Sequence, residues 1–166
     1  MKKIWTVMGL LALLIGCSEK EIEKEPKFTV KDAIEKNHVV IQNLSEKENE
    51  VMTGATKAEH LVPLIAFLED VEANKESKLQ ITVFSKNGES TTSELHFINK
   101  DKTTFKNKNK TYTMPTGEIE CTSIIDTHRN LMVDGCKVEP STLLVIPFGV
   151  REYNLAKVEY KNQKKN

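Results

Sequence analysis

After Lys75-Glu76-Ser77-Lys78 the apolar residues of this chain stop recurring every three or four positions and begin to alternate. Upstream, Leu61, Leu64, Ile65, Leu68 and Val71 share the spacing of one helical face, which only Glu72 interrupts, and predict a helix within His60 to Asn74. Pro63 has no N–H to give and clashes with a preceding turn, so it must sit among the first, unbonded positions, and the regular helix should begin near Glu59 to Val62. A cap-like Thr56-Lys57-Ala58-Glu59 is discounted, because a helix starting there would carry Pro63 deep inside. Downstream, Leu79, Ile81 and Val83 fall on one side of a strand and Gln80, Thr82 and Phe84 on the other. One helix followed by a run of alternating segments predicts an α+β fold: one principal helix packed on an antiparallel sheet of about five or six strands.

Turn signals divide the alternating part. Asn87-Gly88 is the preferred pair for a tight hairpin in which both central residues take positive φ, and it leads to a strand at Thr91 to Ile98. A polar turn at Asn99 to Lys102 precedes a third strand at Thr103 to Lys108. Glu118 to Ile125 and Asn130 to Cys136 form a further predicted hairpin. Counting outward from Cys121 opposite Cys136 sets Ile124 against Val133 and leaves Thr127 to Asn130 at the tip. Leu143 to Ile146 reads as a strand ending at Pro147, Phe148 to Tyr160 as another, and residues 161–166 as a frayed tail. Near the start, Thr29 with Asp32 three residues on caps a short helix that Asn37-His38 stops, and Val39 to Ile41 follows as a strand. The polar run from Asn43 to Gly54 reads as a loop.

Compartment comes from the other end. Met1-Lys2-Lys3 precedes a twelve-residue apolar run, Ile4 to Ile15, which is the layout of a secretory signal peptide. At about 1.5 Å per residue such a helix covers roughly 18 Å, short of the roughly 30 Å hydrocarbon core. The run closes on Leu14-Ile15-Gly16-Cys17, which resembles the lipobox of bacterial lipoproteins, where the cysteine is acylated, becomes the mature N-terminus and is held on the membrane by its lipid. The expected organisation is a signal peptide at 1–16, a lipidated cysteine and charged tether at 17–28, a single domain at 29–160 and the tail at 161–166. Removing the first 16 of 166 residues leaves 150, enough for one domain with a real core. With Cys17 claimed by lipid, Cys121 and Cys136 are a pair in an oxidising setting and are expected to form a disulfide. A two-thiol metal site or a pair of reduced core cysteines would be the alternatives, with neither CxxC spacing nor a histidine partner behind them.

The lipobox, Asp32-Ala33 leading into Asn37-His38-Val39-Val40, the segment Leu64-Ile65-Ala66-Phe67-Leu68, Leu79-Gln80-Ile81-Thr82, and Cys121 with Gly135-Cys136 together resemble a family of Bacillus-type lipoproteins built on a domain of unknown function. The similarity runs from about Asp32 to Ile146. His38 stands where such domains usually have glycine, and Gln42 to Ala58 is longer than usual. The resemblance implies an envelope location and a disulfide, and supplies no active site.

Most catalytic chemistry finds no motif. The seven glycines never cluster, so phosphate-cradling and dinucleotide loops are missing. His38, His60, His96 and His128 are scattered without metal-ligand spacing, and neither a metal nor a cofactor is expected. Ser123, Asp134 and His128 could share a hairpin face, yet no GxSxG elbow surrounds the serine. Basic and acidic residues balance at 24 each over the chain, and the mature part, without Lys2 and Lys3, is slightly acidic, which argues against a nucleic-acid binder. The most distinctive surface tract is lysine-rich: Lys106, Lys108 and Lys110 share parity and would project from one face as a stripe for a cell-wall polyanion or anionic lipid. Alternatively they protect an edge strand from pairing with another chain. The functional expectation is a monomeric, lipid-anchored binding module on the extracytoplasmic face of the cell membrane, partnered by a cell-wall polymer or envelope protein. The alternative is a cell-envelope hydrolase with a dispersed acidic site.

Overall fold

The computed structural model describes residues 27–44, 56–109 and 115–165. The signal segment, Cys17, nearly all of the tether, most of the Asn43 to Gly54 loop and Lys110 lie outside them. The fold is α+β, and the described residues make a six-stranded main sheet, a three-stranded small sheet and three helices.

Helix α1 (Val30–Glu35) begins as its sequence predicts. Thr29 Oγ1 accepts the Asp32 N–H at 3.2 Å, and the Asp32 carboxylate accepts the Thr29 N–H at 2.8 Å, so two of the orphan donors of the first turn are satisfied reciprocally. Asn37, at φ 61°, ends it: the His38 N–H reaches Ala33 O and the Asn37 N–H reaches Ile34 O. This is the Schellman closure, with asparagine in the left-handed position. Asn74 (φ 52°) closes α2 (Val62–Glu72) in the same way, through Asp70 O and Val71 O. Pro63 occupies the first turn of α2, where its missing N–H costs nothing.

Between them run β1 (Val39–Asn43) and β2 (Thr56–Glu59), and after α2 come β3 (Ser77–Phe84), β4 (Ser90–Asn99), β5 (Lys102–Asn107) and β6 (Gly117–Cys121). Their order across the main sheet is β2-β1-β3-β4-β5-β6. Two points depart from the sequence reading. Thr56 to Glu59, to which the sequence reading gave no element, is an edge strand with only Ala58 buried, so it carries almost no apolar signal. The sheet is also not wholly antiparallel: β1 runs parallel to β3, setting Val39 against Ile81, and α2 lies in the crossover between them. The β3–β4 turn differs in detail as well. Only Gly88 has positive φ (76°), and Gly88 N–H donates to Ser85 O, so the turn needs one left-handed residue instead of two.

The predicted strand Glu118 to Ile125 breaks at Thr122. Up to Cys121 it is the last strand of the main sheet; from Ser123 it is β7 (Ser123–Asp126) of the small sheet, followed by β8 (Asn130–Asp134) and β9 (Leu143–Pro147). Ile124 pairs with Val133 and the Thr127 to Asn130 tip is where counting put it. Cys121 and Cys136 are disulfide-bonded, but across the junction of the two sheets rather than along one ladder. Gly135 (φ 63°) is required beside it, since a Cβ there would come within 2.1 Å of Thr122 Oγ1.

The last element corrects the reading of Phe148 to Tyr160 as a strand and of 161–166 as a tail. Residues Val150–Gln163 form α3, the longest helix among the described residues. Tyr153, Ala156 and Tyr160 recur at helical spacing toward the core, Gly149 is the N-cap and Glu152 lies in the first turn. Tyr160 and Lys164 both bond the Glu69 carboxylate and hold it below the usual carboxylate range, so α3 is fastened to α2. Helix α2 is therefore covered on two sides, by the main sheet and by α3. Phe67, outside the expected stripe, is 2% exposed, while Val71 is only partly buried.

Leu64 is fully buried in α2, so Leu64→Ala should cost about 2–5 kcal/mol in chemical denaturation. Replacing Cys121 and Cys136 together by serine should cost roughly 3 kcal/mol for a loop of this length. Because the bond spans the sheet junction, hydrogen exchange at Leu131 and Val133 should accelerate more than at Leu79 and Ile81. Equal acceleration in both sheets would show that the bond only constrains the unfolded chain.

Candidate functional site

The two faces of the main sheet differ. Leu79, Ile81, Leu95, Phe97, Phe105 and Ile119 point to the side of α2 and the small sheet and are buried in one core. On the other face α1 covers only one corner, where Ala33, Val40 and Phe84 form a separate small cluster with Phe28 and Val30. From β3 to β6 the remainder of that face is polar. Period-two alternation in four neighbouring strands produces this, and register then sorts the polar residues into rows. Lys78, His96, Thr104 and Glu120 form one row; Gln80, Glu94, Lys106 and Glu118 form the next. At about 4.8 Å between strands, each row is roughly 15 Å long.

Charges in these rows are largely matched. Glu94 accepts from Gln80 Nε2 and lies 3.9 Å from Lys78 Nζ. His96 Nε2 is 2.8 Å from Glu76 Oε1, and Lys137 Nζ bonds Glu120 at 2.7 Å, which holds that carboxyl below its ordinary range. Lys106 sits between Glu94 and Glu118, its cross-strand partners. Beside α1 the face continues into a hydrogen-bonded chain: Thr92 and Thr82 hydroxyls 2.8 Å apart, and Thr82 Oγ1 2.9 Å from His38 Nδ1. The His38 carbonyl is in turn 2.8 Å from His60 Nδ1.

The lysine tract is thus only partly as expected. Lys106, in β5, and Lys108, just past its end, are exposed, and Lys110 falls outside the described residues. The edge-protection reading is overturned, because β5 lies between β4 and β6 and has no free edge. A continuous basic stripe is also interrupted, since Glu94 and Glu118 flank Lys106. Register supplied these acids, and no spacing within the lysine tract could have revealed them.

Among the described residues the groups considered for catalysis do not converge. Ser123 pairs with Asp134 at the base of the β7–β8 hairpin, whereas His128 is at its tip, packed edge-on against Tyr153; three further rungs at about 3.3 Å each separate them. Asp134 bonds Thr142 instead. Glu76, His96 and Thr104 are neighbours on the open face, but no His96–Thr104 hydrogen bond joins them, and a flat sheet offers no convergent oxyanion donors. Among the described residues no three His, Cys, Asp or Glu side chains are grouped as metal ligands, and no helix is long and apolar enough to cross a membrane. A cleft of about 430 Å³ opens between β2 and the start of α3 at Lys57, Arg129, Phe148 and Glu152. Comparison with protein-family models, curated proteins and solved structures returns no match.

His38 gives this face a pH dependence. Burial, then the charges of Lys36 and His60, lower its pKa from the ordinary 6.5, so the unfolded chain takes up a proton that the folded one resists. Its effect is absent above pH 6.5 and grows as the pH falls from there toward the lowered folded value. Wild type should therefore lose more stability than His38→Asn between pH 7 and pH 5 in denaturant titrations; parallel losses would mean that His38 protonates freely in the fold.

Proposed function

We propose that the chain is a lipid-anchored module on the extracytoplasmic side of the cell membrane that binds a protein of the envelope through the uncovered face of its main sheet. The observation that carries this reading is the pair of charge-alternating rows on β3 to β6. A surface that places Lys106 between Glu94 and Glu118, and Lys78 beside Glu94, repels a uniform polyanion as much as it attracts one. It suits a folded partner with the complementary pattern, where charge order selects the partner and sets the encounter rate. Anchoring is supported by the Leu14-Ile15-Gly16-Cys17 signature and by a buried disulfide of the kind that oxidising compartments sustain. The likeness to Bacillus-type lipoproteins points the same way.

A photoreactive side chain introduced at Lys106 or Thr104 of the full chain on intact cells should capture one discrete protein, while the same group at Lys86, at the β3–β4 turn, should not. Equal labelling from both positions would remove the sheet face as the binding surface. For the anchor, Cys17→Ser should leave the signal segment uncleaved and abolish acyl labelling. Normal cleavage of that variant would sink the lipobox reading.

A further inference from the structure

Three of the five large apolar side chains most exposed among the described residues lie on α3: Val150 at 43%, Leu155 at 59% and Val158 at 58%. At 100° per residue they fall within one arc of about 140°, opposite Tyr153, Ala156 and Tyr160, which face the core. The other residues of that arc are Arg151, Asn154, Lys161 and Asn162, all exposed. Both acids of the helix, Glu152 and Glu159, lie just outside it, so the arc is apolar and basic without a single carboxylate. Helix α2 needs none of it, because α3 is already fastened to α2 through Tyr160, Lys164 and Glu69 on its other side.

We propose that this arc of α3 rests on an anionic lipid surface, with Val150, Leu155 and Val158 at the acyl boundary and Arg151 and Lys161 among the headgroups. An interfacial helix combines exposed aliphatic side chains with cations that can reach phosphate, and three aliphatic residues with two cations bind only weakly on their own. The inference therefore rests on the anchor reading, because the ten residue steps from Cys17 to Lys27 can span at most about 35 Å, which confines the domain to the bilayer's vicinity. Confinement at that distance raises the effective lipid concentration enough for a weak contact to be occupied. Charge selects the occupant: a second copy would bring Arg151 and Lys161 against the same cations.

The test uses the full chain with Trp5→Phe, which removes the only tryptophan, and Leu155→Trp as a probe, reconstituted in phosphatidylcholine vesicles with or without phosphatidylglycerol and with brominated acyl chains. In the anionic vesicles the emission should shift to the blue and fall at least about twofold on bromination, and Arg151→Glu with Lys161→Glu should remove most of both effects. A solvent-like, unquenched emission from protein whose Cys17 is acylated by mass spectrometry overturns the inference and leaves the anchor intact. Quenching from protein whose Cys17 is unmodified supports the helix contact and shows that it does not need the anchor. A blue shift that grows with protein concentration without vesicles means self-association and also overturns it.

Discussion

The two sheets depend on one short junction. At Thr122 the chain leaves the main sheet and enters the small one, and within a few residues three constraints meet: the Thr122 N–H on Asp134 O, the Lys137 N–H on Glu120 O, and the Cys121–Cys136 bond. Gly135 allows this by giving the backbone a left-handed turn and leaving room for the Thr122 hydroxyl. Without the junction the small sheet has a modest claim on stability, since a three-stranded sheet buries little apolar area unless its face is packed. With it, Leu131, Val133, Leu143, Val145 and Ile146 join the same core as Leu64, Phe67 and Leu79.

That shared core determines what α3 can do. Phe148 stacks on Tyr153, and the Tyr153 hydroxyl donates to Asp126 at the foot of the hairpin tip. Burial and the Asp126 carboxylate together push the Tyr153 phenol far above its ordinary range, which keeps it a donor at any physiological pH. The helix is thus held at its start by the small sheet and at its end by Glu69 of α2. Both attachments use one side of α3. A helix fixed so firmly on one side while exposing leucine and valine on the other bears a face that its own fold does not use.

How much of this was legible in the sequence follows the distance over which each signal acts. Thr29 with Asp32, Asn37, Pro63 and the Ile124–Val133 register are local or nearly so, and each reading of them agrees with the fold. Strand β2 escaped because one buried alanine gives no period. The parallel pairing of β1 with β3 escaped because nothing within Val39 to Asn43 records which neighbour it will have. The break at Thr122 left only a faint mark, the lapse of alternation at Thr122-Ser123 and Ile124-Ile125, and the change of partner is what separates β6 from β7. Helix α3 was hidden by its two apolar faces, since Val150, Tyr153, Leu155, Ala156 and Val158 together follow no single stripe. For the candidate surface, parity put Lys106 and Lys108 on one side, whereas the acids beside Lys106 come from strands 12 residues away in either direction along the chain.

The geometry of the layers ties the two surfaces together. Tyr153 and Ala156 of α3 belong to the core on the α2 side of the main sheet, and the charge-alternating rows lie on the opposite side. A bilayer against the outward arc of α3 would turn those rows away from the lipid and toward the envelope, where a protein partner can reach them. The chain enters the domain at Lys27, whose Nζ bonds Asn87 O at the β3–β4 turn, and Phe28 then packs on Phe84 on the row side of the sheet. If Cys17 carries lipid, the ten residue steps from it to Lys27 reach at most about 35 Å, so the domain would stay within that distance of the bilayer, where a weak helix contact can set an orientation.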